Sequence, residues 1–438
     1  MTSHRTTAAA LLCAVLAGVV AGTAGASDGS PGPGGGTQPP PSSSPPARIV
    51  YPLITSAAGA PVAAATNPLV AEVQAPKRAL VVAAQDGTIV FGQNATDGCY
   101  LSLAAANDRV YLYGYLNNDV TGDDNAGKCR PGTAYPQGLR NDQSVQAGDP
   151  IGYVGNSGAA AGGLPQLEVS VEDAGAAVDA NTLLVDAVHL LFATRRGSPF
   201  AVAVTGTVVR SAGKQVTLRA SRLRLFPSGA TTSFKRTVTL TVGKNARFER
   251  RVDGEVKGSG SDLLRSSTHP VELWTSPAAA TLAAQEGSSA ALRVNRVLWP
   301  PTQFPASAAS PTITPSLGAR AVSIAERYLG IPYVWAGASP FSGFDCSGLV
   351  LYVYRQLGIS LPHFSGAQWK RGKRVSRSNL KPGDLVFFEP GSSGPGHVAI
   401  YAGNNRMIEA PHTGELVQIS NFGLRARSLN YVGAVRLG

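Results

Sequence analysis

The chain has 438 residues, of which 43% are hydrophobic and 15% charged, and its formal net charge is +11. This length excludes a single small domain and allows two or three domains, each with its own core. The 50 glycines and 31 prolines predict linkers between them. The modest basic excess favours an anionic neighbour such as cell-wall polymer, a membrane surface or nucleic acid.

The first 26 residues have the layout of a secretory signal peptide. A short basic start precedes an apolar stretch over residues 8–20, and small residues ending at Ala26 favour cleavage there. An N-terminal membrane anchor is the alternative, although the run is short for a span. No later stretch is apolar enough to cross a bilayer. We therefore expect a secreted, extracellular or wall-associated protein without a membrane span after signal removal, and no nucleic-acid partner.

Three cysteines remain once the signal peptide and its Cys13 are removed. Cys99 and Cys129 lie in one segment and are candidates for a disulfide in an oxidising compartment. Cys346 is then the odd one. An odd cysteine in a secreted protein indicates either an intermolecular bridge or a reactive thiol, and the reactive thiol is the preferred interpretation.

The N-terminal part begins with a predicted disordered tether, residues 27–47, which is rich in Gly, Pro and Ser. From residue 48 to 190, short apolar runs alternate with turn residues, which indicates an all-β domain. Its segment VQAGDPIGYVGNSG, residues 145–158, and its YGYL strand, residues 113–116, are similar to motifs of the LytM-type (lysostaphin-like) peptidases.

This first domain departs from the LytM pattern at the zinc ligands. The family has a His-x-His-x-Glu strand where this chain has Leu164, Gln166 and Glu168. A catalytic zinc site needs three protein ligands, usually including two or three histidines. The resemblance therefore implies a degenerate domain that holds no metal and serves binding or regulation.

Residues 198–300 predict a second small β-domain. Apolar and polar side chains alternate in VTGTVVR and KQVTLRASRLRLF, a pattern that suits a barrel. Many outward positions are Lys or Arg, which either form a solvated face or contact anionic wall polymer. A Pro-rich linker over residues 301–316 follows, and residues 317–438 are expected to form the last domain.

The last domain carries the predicted nucleophile. Residues 317–330 have helical spacing and end at a glycine, and an irregular segment follows them. The next run, CSGLVLYVYRQLG, predicts a buried helix with Cys346 in its first turn. The free N–H groups and positive dipole end of a helix start favour a thiolate and can hold an oxyanion. A buried structural cysteine is the alternative.

The candidate bases for this thiol are His363, His397 and His412. His397 opens a strand in GHVAIYAG, and RMIEAPHTG returns after a turn, so the two stretches form a hairpin. A three-residue loop places Glu409 one diagonal step from His397, within reach of a long side chain. A two-residue Asn-Asn loop places His412 directly opposite His397 instead. Spacing alone leaves both registers open.

Several separate motifs of residues 319–438 resemble the NlpC-type family of papain-like cell-wall peptidases. They include PYVWAGASPFSGFDCSGLV, LKPGDLVFF and HVAIYAGNNRMIEAP. The resemblance implies an α+β papain-like domain, so the fold class is a multidomain chain in which two all-β domains precede it. It is greatest for secreted actinobacterial members, which cleave the γ-D-glutamyl–diaminopimelate bond of peptidoglycan stem peptides.

The resemblance also implies a catalytic triad of Cys346, His397 and Glu409, with Glu409 preferred over His412. His397 would deprotonate Cys346, and Glu409 would orient the imidazole. Attack by the thiolate would give a thioester that water hydrolyses. This chemistry calls for no cofactor and no metal.

Four further positions are candidates for supporting roles. Tyr333 occupies the family's active-site tyrosine position and would contact the oxyanion or the substrate backbone, with aromatic packing as the alternative. Asp345 and Ser347 flank the nucleophile and either bind a substrate amine or shape the turn. His363 stands where the family often has arginine and is expected to line the cleft.

Peptidoglycan is therefore the predicted partner, with other wall hydrolases and anionic wall polymers as further candidates. A basic loop, WKRGKRVSR, is either such a contact or a solvated surface. Two alternative functions stay open. One is a non-catalytic wall-binding or hydrolase-regulating protein. The other is a different enzyme on the same fold, such as an acyltransferase or an N-acetylmuramoyl-L-alanine amidase.

Overall fold

A computed structural model describes part of the chain. The described residues are 48–54, 69–105, 107–119, 127–252, 255–258, 264, 269–303 and 316–438. The predicted signal peptide and tether, and most of the predicted Pro-rich linker, lie outside these residues. Within the described part, strands predominate over short helices, and no helix has the length and apolar character needed to cross a membrane.

The N-terminal part is built on antiparallel strands. They are β1 (Ala71–Gln74), β2 (Leu80–Val82), β3 (Gly87–Asn94), β4 (Gly98–Ala105), β5 (Arg109–Leu116), β6 (Gln143–Val145), β7 (Pro150–Tyr153), β8 (Gln166–Asp173) and β9 (Ala176–Val178). The sheet order is β1-β8-β5-β4-β3-β6 with β9 beside β8, while β2 pairs with β7. Alternation buries Leu167, Val169 and Val171 of β8 in the core. A short helix, α1 (Ala180–Val185), follows, and a disulfide joins Cys99 to Cys129.

The strands of the middle part form a closed ring. Its elements are β10 (Pro199–Ala212), β11 (Gln215–Phe226), β12 (Ala230–Val252), β13 (Glu255–Gly258), β14 (Pro270–Thr275), β15 (Ala278–Ala279), α2 (Leu282–Glu286) and β16 (Arg293–Trp299). The order β11-β10-β14-β16-β12 is closed by pairing of β11 with β12, and only the β12–β16 pair is parallel. We call this ring the barrel. Its interior is filled by alternate apolar residues such as Val202, Leu218 and Val297.

The C-terminal part combines helices with an antiparallel sheet. Its elements are α3 (Leu317–Glu326), β17 (Ala338–Ser339), β18 (Gly343–Phe344), α4 (Cys346–Arg355), α5 (Ser365–Gln368), β19 (Lys373–Val375), β20 (Leu385–Phe388), β21 (His397–Gly403), β22 (Arg406–Glu409), β23 (Gln418–Asn421), α6 (Phe422–Ser428) and β24 (Tyr431–Arg436). The six-stranded sheet has the order β19-β24-β20-β21-β22-β23. Its apolar faces are covered by α3 and α4 on one side and by α6 on the other.

The barrel shares a hydrophobic core with the C-terminal part. Ala201, Phe226 and Trp274 of the barrel belong to the same buried cluster as Leu329 and Val350. Residues 47–438 accordingly form one compact unit. The C-terminal sheet therefore packs on the barrel and is not an isolated body at the end of a linker.

Two barrel arginines differ from the basic residues that the sequence pattern places on an outward face. The sequence pattern places the basic residues of the barrel on an outward face, in solvent or against wall polymer. Arg224 and Arg296 are instead buried, with 1% and 6% of their surface exposed. Their guanidinium groups donate hydrogen bonds to the carbonyls of Leu329 and Gly330, just after α3. Outward positions of the barrel are thus partly covered by the C-terminal part.

Candidate active site

Cys346 is the first residue of α4 and is a free, partly exposed thiol. The helix starts here because Asp345 has an extended backbone and accepts a hydrogen bond from the N–H of Gly348, at 2.7 Å. The first N–H groups of a helix have no intrahelical acceptor, and its dipole is positive at this end. The thiol therefore lies where negative charge is stabilised.

The glycine of the Asp-Cys-Ser-Gly motif is required by a close backbone approach. A Cβ atom on Gly348 would lie 2.0 Å from the carbonyl oxygen of Gly337 and 2.9 Å from Nε2 of His363. Any larger residue would push the loop before β17 away from the helix start. The motif thus positions the nucleophile in two ways: Asp345 caps the helix, and the small size of Gly348 lets the neighbouring loop approach the helix start.

Asp345, Ser347 and His363 form one hydrogen-bonded group around the helix start. Nε2 of His363 lies 3.0 Å from both carboxylate oxygens of Asp345, and the hydroxyl of Ser347 donates to Oδ1 at 3.1 Å. Asp345 is therefore engaged in shaping the turn, which was one of its two predicted roles. Gln368, which the sequence analysis did not single out, is fully buried and donates to the carbonyl of Ser347 at 2.9 Å.

Removal of the helix cap should destabilise the folded protein. We expect Asp345→Ala to lower the free energy of unfolding by about 1–2 kcal/mol, because the N–H of Gly348 and the ring of His363 both lose their partner. Thermal denaturation measures the change. Asp345→Asn is the matched variant, since it keeps an acceptor oxygen and should cost less. Equal losses in the two variants would contradict a capping role.

His397 and Glu409 are paired at the centre of the site. Nε2 of His397 lies 2.7 Å from Oε2 of Glu409, and both side chains are buried. Nε of Arg425 on α6 donates to the other carboxylate oxygen at 2.8 Å. Because Nε2 is engaged with Glu409, Nδ1 is the nitrogen left for Cys346, which also hydrogen-bonds this histidine.

The hairpin that carries this pair combines the two loop alternatives. The turn is a two-residue Asn404-Asn405 loop, with both residues at positive φ and Gly403 opposite Arg406. A β-bulge at Ala402 then shifts the ladder by one residue, so that Ile400 faces Ile408. The net register is that of the three-residue loop, which brings Glu409 to the face of His397.

The same pairing shifts the pKa of each partner. Burial alone would lower the pKa of His397, but hydrogen bonds to Cys346 and Glu409 outweigh it and raise the pKa to about 9. Burial would raise the pKa of Glu409, but the hydrogen bond to His397 and the nearby charge of Arg425 lower it. At neutral pH the imidazole is therefore protonated and the carboxylate ionised.

Tyr333 lies beside the thiol on the loop that follows α3. Burial, with the negative charges of Cys346 and Asp345, raises the pKa of Tyr333 to about 12. Its phenol is therefore a hydrogen-bond donor at neutral pH. The backbone N–H of Tyr333 donates to the carbonyl of Glu415 at 2.8 Å, which fixes this loop against the segment that follows β22.

The structure does not bring every candidate histidine to the thiol. His412 is exposed, and its Nδ1 lies 3.1 Å from the carbonyl oxygen of its neighbour Thr413. Arg425 was missed by the sequence analysis because it lies 16 residues beyond Glu409 in sequence, in no motif. No sequence signal links the two, since they meet only through the packing of α6 on the sheet.

The positions of the predicted degenerate zinc site lie on or beside β8. Leu164 is 68% exposed, whereas Glu168 is largely buried and hydrogen-bonds Tyr115. Burial raises the pKa of Glu168. No group of three His, Cys, Asp or Glu suited to a metal occurs among the described residues. The LytM-type resemblance of this part stays a prediction.

A cysteine at a helix start, an imidazole beside it and a carboxylate behind the imidazole form the arrangement of cysteine-dependent acyl-transfer enzymes. Residues 330–436 match the model of the NlpC/P60 family. The C-terminal part is therefore an NlpC/P60 domain, which confirms the predicted family for this region.

The chain is similar over this region to several known proteins. Gamma-DL-glutamyl hydrolase of Bacillus subtilis is 50% identical over 101 residues, or 23% of this chain and 24% of that protein. Peptidoglycan endopeptidase RipA of Mycolicibacterium smegmatis is 40% identical over 104 residues, or 21% of this chain and 20% of that protein. The crystal structure of the NlpC/p60 domain of peptidoglycan hydrolase SagA is 40% identical, covering 27% of this chain and 98% of that chain, with a TM-score of 0.25. The chain thus spans less than a quarter of the length of these two curated relatives.

Proposed function

We propose that the NlpC/P60 domain is a cysteine endopeptidase that hydrolyses peptidoglycan stem peptides, at the γ-D-glutamyl–meso-diaminopimelate bond. The observation that carries the proposal is the buried His397–Glu409 pair beside the free thiol of Cys346. The names of the similar proteins, a γ-DL-glutamyl hydrolase and a peptidoglycan endopeptidase, support the substrate class.

The charged groups around the thiol carry a net positive charge. Arg425 and protonated His397 supply two positive charges, and Glu409 supplies one negative charge. A positively charged neighbourhood is the setting in which cysteine nucleophiles act.

The reaction follows from these positions. The thiolate of Cys346 attacks the scissile amide carbonyl, and the amide oxygen becomes an oxyanion. His397 donates its Nδ1 proton to the leaving amine, so the C–N bond breaks and a thioester remains. The now neutral imidazole removes a proton from water, which attacks the thioester and releases the acid and the thiolate. Glu409 holds the ring orientation throughout.

The oxyanion would be held by donors around the helix start. The N–H of Gly348 is used by Asp345, which leaves the N–H groups of Cys346 and Ser347 at the first turn of α4 for the developing charge. The protonated phenol of Tyr333 is a third donor next to the thiol. Tyr333 is also partly buried against the hydrophobic core of this domain, so aromatic packing and donation to the oxyanion are compatible roles.

The digestion of purified muropeptides tests the proposal, with mass spectrometry naming the broken bond. Fragments ending in γ-D-glutamate and beginning with diaminopimelate are the expected products. A stem peptide released with a free L-alanine amino group, leaving a carboxylate on muramic acid, would instead identify an amidase, and a transferred acyl group would identify an acyltransferase. No product at any bond, with binding to the same peptidoglycan, would favour the alternative of a wall-binding or hydrolase-regulating protein.

The location and partners of the whole chain form part of the proposal. We propose export through the signal peptide over residues 1–26, and peptidoglycan as the principal partner. Other wall hydrolases and anionic wall polymers are further partners, which the N-terminal β-domains would bind.

Activity should fall on the alkaline side as His397 loses its proton. We expect the upper limb of the kcat/KM profile near pH 9, because the pKa of His397 is raised to that value and the ion pair with the thiolate exists only below it. Glu409→Gln removes the charge that helps to raise this pKa. The variant should move the upper limb to lower pH and reduce kcat/KM by about 10²- to 10⁴-fold.

Glu326→Gln is the matched control, since it removes a carboxylate on α3 that contacts none of these groups. Its profile should follow that of the unmodified protein. An upper limb that stays in place in Glu409→Gln would contradict the role of Glu409 in holding the imidazolium.

A further inference from the structure

A cavity of about 280 Å³ lies where the barrel meets the catalytic domain. On the barrel side it is lined by Phe226, Arg247, Trp274 and Arg296, with Asn245 and Asn295 also contributing. Residues of the catalytic domain, on the loops around β17, complete the wall: Ile331, Pro332, Pro340 and Phe341. The cavity is near the lower end of the usual size for ligand sites, so it suits one small group.

The polar floor of the cavity is a row across three neighbouring strands. Arg296 on β16 is paired with Trp274 on β14 and with Arg247 on β12. Paired residues of adjacent strands project to the same face of the sheet, so these three side chains lie side by side. Two arginines directly opposite one another repel unless an anion lies between them.

Two buried donors in this row lack an acceptor within the described part of the chain. They are Nη1 of Arg296 and Nε1 of Trp274. Both residues are 6% exposed. A buried donor that makes no hydrogen bond costs about 1–3 kcal/mol, and more when it is charged. Such a pair of donors is expected to have a partner that arrives from outside the chain.

The nearby acids do not supply that partner. Glu272 is hydrogen-bonded to Arg224 and Thr302, and Glu249 is bound by Arg251 at 3.1 Å. The other amino group of Arg296 donates to the carbonyl of Gly330, a neutral acceptor. The guanidinium of Arg296 is thus buried without a directly bonded carboxylate, although the charges of Glu249 and Glu272 act on it from a distance. Burial lowers the pKa of Arg296 to about 10, which an anionic ligand would reverse.

We propose that this cavity binds the terminal carboxylate of a short peptide, through Arg296, Trp274 and Arg247. The two buried donors match the two oxygens of one carboxylate, and the exposed Arg247 closes the open side. The apolar walls formed by Phe226, Pro340 and Phe341 suit a small side chain such as that of alanine. A phosphate group would present more oxygens than the buried donors can satisfy.

The cavity wall belongs to the same loops that position the nucleophile. Pro332 directly precedes Tyr333, and Phe341 lies five residues before Cys346. An occupied cavity would therefore hold a peptide end next to the catalytic loop. The next step, and no other, rests on the proposed function. The barrel would bind the carboxyl end of a wall peptide, and the thiol would act elsewhere on the same peptide or on a neighbouring one.

The test measures binding to the full chain carrying Cys346→Ala, by isothermal titration calorimetry. The probes are N-acetyl-D-alanine, its C-terminal amide and inorganic phosphate. We expect saturable binding of the carboxylate and at least about tenfold weaker binding of the amide, because the charge-assisted hydrogen bonds are lost. Equal binding of acid and amide, tighter binding of phosphate, or no saturable binding of any probe would overturn the proposal.

Three variants locate the site within the barrel. Arg296→Met and Trp274→Phe each remove one buried donor, and each should weaken binding of the carboxylate about tenfold or more. Arg296→Met also loses a contact to the catalytic domain. Arg247→Ala is therefore the decisive variant, since its side chain is exposed and its removal leaves the fold intact. Arg219→Ala, an exposed arginine of the barrel outside the cavity, is the control and should bind as the parent does.

Equal weakening by Arg247→Ala and Arg219→Ala would overturn the assignment to this cavity. Because the assay uses a protein without the thiol, its result does not depend on catalysis. If the muropeptide digest gave no product, the proposed carboxylate site would be unaffected. If the probes did not bind, the proposed hydrolysis would be unaffected.

Discussion

Cys346→Ala is expected to lower kcat/KM for muropeptide hydrolysis by about 10⁴-fold or more. The variant removes the atom that forms the thioester, while the buried pair of His397 and Glu409 and the partly exposed Arg425 remain in place. Substrate binding by the cleft should persist, so the loss should appear in kcat more than in KM. Chromatography of the digest products measures the change against the unmodified protein.

Ser378→Ala is a suitable control, since it alters an exposed hydroxyl of the same domain and should leave the rate unchanged. Cys346→Ser should also be inactive, because a hydroxyl is far less acidic than a thiol. A thermal midpoint close to that of the unmodified protein would show that Cys346→Ala is folded. Equal product from Cys346→Ala and the unmodified protein would remove Cys346 from the mechanism.

The position of the nucleophile could be predicted from sequence because its determinants are local. The cap at Asp345, the apolar run of α4 and the close approach at Gly348 all lie within one short motif. Such features act between near neighbours in the chain, so the residue pattern records them.

The hairpin register could be predicted only as two alternatives. The Asn404-Asn405 turn favours a two-residue loop, whose two positive φ angles suit asparagine. The bulge at Ala402 shifts the strand pairing by one residue, so every residue further along the strand faces a different partner from the one that the turn alone would give it. Loop length does not reveal a bulge, so loop length alone could not choose between Glu409 and His412.

Contacts between distant segments that share no motif could not be predicted. Period-two alternation identifies which residues of a strand face away from the barrel core, but not what covers the outer face. Arg224 and Arg296 follow that pattern as exposed residues would, and tertiary packing buries them. The side chain of Arg425 reaches Glu409 through a similar long-range contact.

The junction between the barrel and the NlpC/P60 domain contains a buried ion pair. Nη2 of Arg224 donates to Glu272 at 3.0 Å, and Nη1 donates to the carbonyl of Leu329 at 2.6 Å. The guanidinium also stacks against Phe226 and Trp274, whose rings are 5.2 Å apart. Because the hydrophobic cluster continues across this junction, the NlpC/P60 domain shares part of its core with the barrel.

Arg224→Met should therefore destabilise the protein by about 3–5 kcal/mol, since it leaves Glu272 buried without its main countercharge. Urea denaturation followed by tryptophan fluorescence measures the loss. Leu329 precedes the loop that carries Tyr333, so kcat/KM of the folded fraction should fall as well. The double variant Arg224→Met/Glu272→Leu removes both charges and should lose less stability than Arg224→Met alone.

Arg48→Met is the matched control for that experiment. Arg48 pairs with Glu286 at 3.1 Å, but its side chain is 65% exposed. An exposed pair contributes about 0–1 kcal/mol, so the control should unfold close to the unmodified protein. If Arg224→Met unfolded no earlier than Arg48→Met, the buried pair would not hold the two parts together. Loss of stability without any fall in kcat/KM would instead mean that the barrel supports the catalytic domain but not its active-site loop.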